Sequence, residues 1–248
     1  MLPDFSFEQK YWDQNLFVIG VDEVGRGALA GPVVAGACLF RIMNQESGIM
    51  GKKVDDSKRK EKLQRSKAQR CKEILKLGID DSKRLKARER ERLAKEIIKY
   101  FHIGIGEASV AEINELGIVS ATERAMKRAV NRIMKCELRI MEDKVHDSLF
   151  IIPNSTTILV DGPHKIPRLS GFGLDRQEAI IKGDQKSISI AAASIVAKVY
   201  RDKLMRKLDR ENGKKYKWGL NKGYGTSKHW SMISLYGSSF LHRVKFID

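Results

Sequence analysis

Cysteine is scarce in this 248-residue chain, and the three present, Cys38, Cys71 and Cys136, stand far apart with no Cys-x-x-Cys or Cys/His spacing. That excludes a zinc ribbon or a disulfide framework and leaves ordinary thiols of a reducing compartment, so a cytoplasmic location is expected. Long apolar runs are missing as well. None approaches the ~18–20 residues of a membrane span, and the N-terminal MLPDFSFEQKYWDQN is acidic and aromatic, unlike a secretory leader. Acids are the third shortage: 31 Asp and Glu face 47 Lys and Arg, a formal charge of +16. A surplus of that size points to polyanionic partners, nucleic acid before an anionic membrane. Core material is not lacking, since 42% of residues are hydrophobic, which excludes a chain disordered throughout.

LFVIGVDEV (16–24) is a short β-branched run ending in acids and reads as a buried strand; VVAGACLF (33–40) reads as a second, reached through GRGALAGP. KARERERLAKEIIKYF (86–101) carries Leu93, Ile97 and Phe101 four residues apart, the spacing of an amphipathic helix. HIGIGEAS is strand-like, SATERAMKRAVNRIMK (120–135) is helical, and TTILVDGP (156–163) and QEAIIKGD (177–184) are two further apolar runs. From Ser187 a long helix is expected, with Ile188, Ala192, Ile195 and Val199 as its buried stripe. Strands mixed with helices throughout predict an α/β fold. The expected division is a catalytic domain at 1–206 and a basic, aromatic, helical extension at 207–248 that grips substrate.

Asp22-Glu23, Asp161 and Asp184 all close apolar runs. A carboxylate there is costly unless it is paired or bound to metal, and several together require a cation. Magnesium or manganese, hard and oxygen-loving, fits, and two such ions ~3.5–4 Å apart suit phosphodiester cleavage. Because Asp22 and Glu23 are adjacent, a regular strand would point them to opposite faces, so a break in the pleat at Glu23 is expected. On the long helix, Ser187, Ser194, Lys198 and Arg201 fall on one stripe, taken as a substrate-facing basic surface that begins beside Asp184. GRGALAG is a poor dinucleotide fingerprint, since a strand follows it; glycines flanking Arg26 suit close backbone approach to a sugar–phosphate. Tyr224, between two glycines among Lys222, Lys228, His229 and Trp230, suits stacking on a base or sugar.

The stretches VIGVDEVGRGALAGPVVAGA, IDDSKRL, ILVDGP, IIKGDQKSISIAAASIVAKVYRD, WGLNKGYGTSKH and YGSSFLHR, in this order, resemble the ribonuclease HII (type 2 ribonuclease H) family. The resemblance implies a ribonuclease-H-like fold, a mixed central sheet flanked by helices. It also implies metal-dependent cleavage of the RNA strand of RNA/DNA hybrids and incision 5′ of single ribonucleotides in duplex DNA. The family's four metal-binding acids fall on Asp22, Glu23, Asp161 and Asp184, its ribose-sensing Gly-Arg-Gly on Gly25, Arg26 and Gly27, and its stacking tyrosine on Tyr224. A monomer is expected to suffice. The rival is a catalytically silent nucleic-acid-binding module, in which the basic stripe matters and the acids merely cap turns.

DDSKR occurs twice, at 55–59 and at 80–84, each copy followed by a basic stretch ending in Lys-Glu-Ile and an aliphatic residue. Tandem duplication explains this, and one unit should be spare. Only the second leads through an amphipathic helix into HIGIGEAS. Asp81, Ser82 and Lys83 are therefore assigned to the nucleic-acid-facing loop, with Lys83 near the phosphates, and roughly 44–77 is expected to be a mobile basic insertion.

Overall fold

A computed structural model describes residues 2–41, 56–142 and 155–247; for 56–63 and 136–142 it describes the backbone alone. The 44–55 part of the expected insertion lies outside the described residues, as do Asp55 and the remaining side chains of the first DDSKR copy.

The eight residues of β2 (Val33–Phe40) are all buried, as a near-continuous apolar run demands when a sheet is covered on both faces. Around it the sheet has five strands. β1 (Phe17–Val24) and β3 (Phe101–Ala108) flank β2 antiparallel; β4 (Thr156–Asp161) and β5 (Gln177–Ile180) add in parallel beyond β1, for the order β3-β2-β1-β4-β5. On one face lie α1 (Ser6–Trp12), α3 (Ala87–Tyr100), α6 (Ile188–Glu211) and the end of α2 (Asp56–Leu75), joined through Phe5, Trp12, Phe40, Leu93, Ile97 and Phe101. The other face packs on α4 (Val110–Leu116) and α5 (Ile118–Glu142) through Ile113, Ala121, Ala125, Ala129 and Ile133.

α6 is the central helix. It lies close to β1 and β2 because a Cβ at Gly20 would collide with the backbone of Ser189 and Ile190, and one at Gly36 with the Ala193 carbonyl. The single buried stripe expected for this helix is therefore too narrow. Every residue from Ile188 to Ala197 is buried, because small Ala and Ser side chains let the sheet and α3 close in from opposite sides. The helix also runs unbroken past residue 206, where a domain boundary was expected. Its Met205 and Leu208 join Tyr216, Trp218, Met232, Ile233 and Leu241, so the extension formed by α7 (Trp218–Asn221), α8 (Ser227–Tyr236) and α9 (Val244–Ile247) is built on the end of α6.

The far end of the expected insertion is packed against the core. Ile74 near the end of α2 is 0% exposed within the main cluster, Cys71 and Leu77 pack against it, and Ile79 is buried just beyond. Lys67 places its ammonium 3.9 Å from the centre of the Trp12 ring, and Arg70 donates to the Lys99 carbonyl at 3.3 Å. Long basic stems lying over aromatic rings supply the packing that the sparse apolar residues of this segment do not. We predict that Ile74→Ala lowers stability by about 2–4 kcal/mol in a denaturant melt. A loss below ~0.5 kcal/mol would return this helix end to the status of a loose appendage.

Candidate active site

β1 and β4 run in parallel register as far as Val21 beside Val160, so the next residues, Asp22 and Asp161, stand on neighbouring strands at the same end of the sheet. β1 stays paired through Val24, with Asp22 opposite Gly36 and Glu23 opposite Ala35, and the expected break in the pleat is absent. Asp22 faces α6, where the nearby Ser194 hydroxyl favours its charged form. Glu23 points to the other face, but its longer side chain lies at the strand end, where it feels the charge of Asp161 and meets Arg26 at 3.3 Å.

Asp184 arrives from the short turn Gly183–Gln185, entered through Lys182 in the left-handed region at φ 56°. Asp161 holds that turn, its Oδ1 accepting from the Gly183 amide at 2.6 Å and from the Asp184 amide at 3.4 Å. The second DDSKR copy closes the far side. Ser82 Oγ lies 2.9 Å from Ser194 Oγ, Asp81 accepts from Gln185 at 3.2 Å, and the Lys83 ammonium is 3.5 Å from Asp184.

Asp22 is 4% exposed and Asp184 3%. Burial, then the neighbouring charges of Glu23 and Asp161, holds the Asp22 carboxyl well above the ordinary range. Burial and Asp161 likewise raise Asp184, against the pull of Lys83. Burial raises Glu23, opposed by Arg26 and reinforced by Asp161. Burial opposes the charge on Lys83, but Asp184, Asp81 and Asp22 outweigh it and strengthen its hold on the proton. Among the described residues no three carboxylate, imidazole or thiol groups close to the spacing of a metal cage. The donor set is nevertheless the one a hard divalent cation takes: all oxygen, anionic, and poorly compensated by protein cations.

The glycine-rich link is clamped to the tyrosine loop. Leu29 and Ala30 amides donate to the Gly223 carbonyl at 2.8 and 3.2 Å, and Ala28 bridges Tyr224. Arg201, expected on an exposed basic stripe, is 0% exposed; its guanidinium donates to the carbonyls of Pro32, Ala30 and Lys222 at 3.0, 3.2 and 2.8 Å. It is a strut beneath this loop pair, since a buried guanidinium must spend its donors on nearby carbonyls. Lys198 is largely committed too, 2.6 Å from Asp202 and 5.7 Å from the Tyr224 ring. Gly25, at φ +98°, has its missing Cβ replaced by the Arg201 side chain, whereas a Cβ at Gly27 would meet nothing within 4 Å.

A family model described as Ribonuclease HII matches residues 19–71 and 65–248. The chain belongs to the ribonuclease HII family. It is 38% identical over 244 residues to a Ribonuclease HII of Wolbachia sp. subsp. Brugia malayi, covering 98% of this chain and 93% of that protein. It is 37% identical over 243 residues to one from Thermosynechococcus vestitus, covering 97% and 89%. Among solved structures it resembles the ribonuclease HII of a PCNA complex from Archaeoglobus fulgidus, with TM-score 0.56, 23% identity and coverage of 93% of this chain and 95% of that one. It also resembles Bst-RNase HIII in complex with Mn2+, with TM-score 0.60, 19% identity and coverage of 94% and 67%. Family membership makes the protein an endoribonuclease of the ribonuclease H class, divalent-metal dependent, and sets aside the silent binding module. The two matched stretches overlap at 65–71, between the DDSKR copies, where a duplication leaves a family pattern two ways to continue.

Two contributors escaped the sequence reading. Arg90 on α3 donates to the Ser82 carbonyl at 2.8 Å and so holds the lysine loop. Arg243 is fully buried and donates to the carbonyls of Arg26 at 2.8 Å and Gly31 at 2.8 and 3.0 Å. Neither carries a local signal, because an arginine bonded to distant carbonyls reads like any surface arginine.

Asp161→Asn keeps an oxygen for the Gly183 amide but removes a charge from the cluster. We expect cleavage to fall at least ~10²-fold while the metal-free melting temperature holds or rises, since repulsion is relieved. Near-normal cleavage in magnesium would remove Asp161 from the site. Lys83→Ala should slow cleavage more than Lys58→Ala, and the opposite order would show that the first copy occupies the working loop.

Proposed function

We propose that the protein hydrolyses the RNA strand of RNA/DNA hybrids and incises 5′ of single ribonucleotides embedded in duplex DNA, leaving a 3′-hydroxyl and a 5′-phosphate. The observation that supports this most is the adjacency of the carboxylate cluster to a glycine loop locked onto a tyrosine. A cluster of acids alone would serve many phosphoryl reactions; the second feature suits recognition of a sugar.

In this reading Asp22, Glu23, Asp161 and Asp184 hold two Mg2+ or Mn2+ ions. Such ions, when bound, offset charge on the phosphate and raise the acidity of the attacking water. No histidine or serine nucleophile is then needed. Lys83, already turned toward Asp184, supplies a mobile positive charge at the phosphate. Ser194 orients Asp22 from the helix side and Arg26 does the same for Glu23. Gly27 leaves its flank open for the ribose, and Tyr224 packs beneath the sugar at the junction. Backbone contact through Gly25 and Gly27 reads the 2′-hydroxyl, the group that separates RNA from DNA. Lys198 and Arg201 act through Tyr224, whose ring they flank at 5.7 and 5.4 Å. The catalytic domain and the gripping extension work as one monomer in the cytoplasm. Among the described residues no helix is long and apolar enough to cross a membrane.

The test uses three 5′-labelled duplexes with magnesium: an RNA/DNA hybrid, DNA with one ribonucleotide, and DNA alone. The first two should be cut and the third cut at least ~10³-fold more slowly, because a site built around a hydroxyl rejects the analogue lacking it. Gly27→Ala should fold and melt normally, as its methyl enters open space, yet incise a lone ribonucleotide poorly. Wild-type cleavage of plain DNA at the same rate would overturn the assignment.

A further inference from the structure

Two histidines that the proposed chemistry does not use are buried behind the tyrosine loop: His229 in the first turn of α8, 0% exposed, and His242 before α9, 2% exposed. Their hydrogen bonds run in a single direction. The Ser239 amide donates to His242 Nδ1 at 2.8 Å, so that nitrogen carries no proton and His242 Nε2 does. His242 Nε2 lies 3.2 Å from His229 Nε2, and the Trp218 indole N–H donates to the same atom at 3.0 Å. His229 Nε2 is therefore the acceptor and its proton sits on Nδ1. That N–H faces the Tyr224 carbonyl at 2.9 Å. The same carbonyl accepts from the Thr226 amide at 2.8 Å, so both its lone pairs are engaged. The His229 backbone is itself pinned, its amide donating to the Thr226 hydroxyl at 3.2 Å. Burial lowers the proton affinity of both imidazoles, His242's to about 4, which disfavours a charged ring that would break this donor order.

We propose that His229 is a positioning residue for Tyr224, and that selectivity for a lone ribonucleotide depends on the bond from His229 Nδ1 to the Tyr224 carbonyl. The inference rests on the assignment of Tyr224 to the sugar at the junction. The tyrosine loop is held from two sides. Arg201 bonds the Lys222 carbonyl on one side, and His229 bonds the Tyr224 carbonyl on the other. Lys222 at φ 54° and Gly223 at φ 83° make the turn between them, a conformation that a lysine holds only under outside constraint. In a hybrid every junction sugar is a ribose, and a slightly misplaced ring finds alternatives on either side. At a lone ribonucleotide there is one correct register, so the loss of orientation is felt there most.

Two near-isosteric variants separate positioning from mere packing. Asparagine puts its amide N–H where His229 has Nδ1 and keeps the bond to Tyr224 while giving up Trp218. Glutamine reaches the Nε2 position, accepts from Trp218 and loses Tyr224. Each gives up one side of the network, so both should melt at comparably lowered temperatures. The readout is the ratio of kcat/KM at a lone ribonucleotide to that on an RNA/DNA hybrid. His229→Gln should lower the ratio about five- to tenfold, the effect of one lost hydrogen bond, chiefly through kcat. His229→Asn should keep it within about twofold of wild type, and Tyr224→Ala/His229→Gln should be no worse than Tyr224→Ala alone. Equal ratios for the two His229 variants, or a ratio moved by Tyr224→Ala but not by His229→Gln, would overturn the inference. A ratio unmoved by Tyr224→Ala would instead overturn the tyrosine assignment and the inference with it. Should the glutamine variant not fold, nitrogen-15 NMR of the wild-type histidines decides. The inference requires His229 protonated at Nδ1 and His242 at Nε2, and the reverse tautomer at His229 refutes it.

Discussion

The contact between α6 and the strands β1 and β2 is the constraint on which the rest of the molecule depends. Gly20 and Gly36 leave no side chain between helix and sheet, so the helix backbone sits directly on the strands. At that distance a side chain as short as Ser194 reaches Asp22 and, on its other side, Ser82 of the lysine loop. The turn bearing Asp184 enters at the head of the same helix, and Arg201, nearly four turns on, reaches the carbonyls of Ala30 and Pro32. One close approach thus sets the spacing of acids, lysine loop and glycine link together. Packed interiors transmit such placements because they have almost no slack.

Charge is apportioned with the same economy. A surplus of +16 suggests a uniformly basic surface, yet some of the cations are structural. Arg201 and Arg243 are fully buried and bond the carbonyls of the glycine link, and Arg90 holds the lysine loop. Lys67 and Arg70 lie over the rings of Trp12 and Tyr100. At the end of β1 and β4 the balance reverses. Four carboxylates gather there, paired among the described residues with Lys83 and Arg26, and burial leaves Asp22, Glu23 and Asp184 reluctant to ionise. Among the described residues, then, the basic surplus is not spent on this spot.

The doubled pentapeptide shows how little five residues decide. The backbone of 56–59 in the first copy is helical, opening α2, while 80–84 forms an irregular entry and a turn. Identical local preferences gave way to tertiary partners: Ser194, Gln185 and Arg90 all engage the second copy. The segment between the copies also reaches the core at its far end. Ile74 packs in the same cluster as Leu93 and Ile97 of α3, with Ile79 just beyond it.

The sequence by itself determined the strand runs, the long helices and the family, and it singled out four acids that the fold brings to one end of the sheet. Each rests on information that is local and periodic: β-branched runs, four-residue apolar spacing, an acid closing a strand, glycines around Arg26. It also told the two DDSKR copies apart by what followed them in the chain, and the second lies beside Asp184. What only the tertiary structure decided are the roles of residues whose partners are remote. Arg201 turned from phosphate contact to buried strut; α2, thin in apolar residues, docked through basic stems; Glu23 reached the site without a break in its strand; and His229 and His242 found Tyr224. The physical reason is common to all of them. A guanidinium, an ammonium or an imidazole is equally at home in water or against a carbonyl or ring, so its sequence neighbours carry no trace of the choice. Only the packing that removes water makes it.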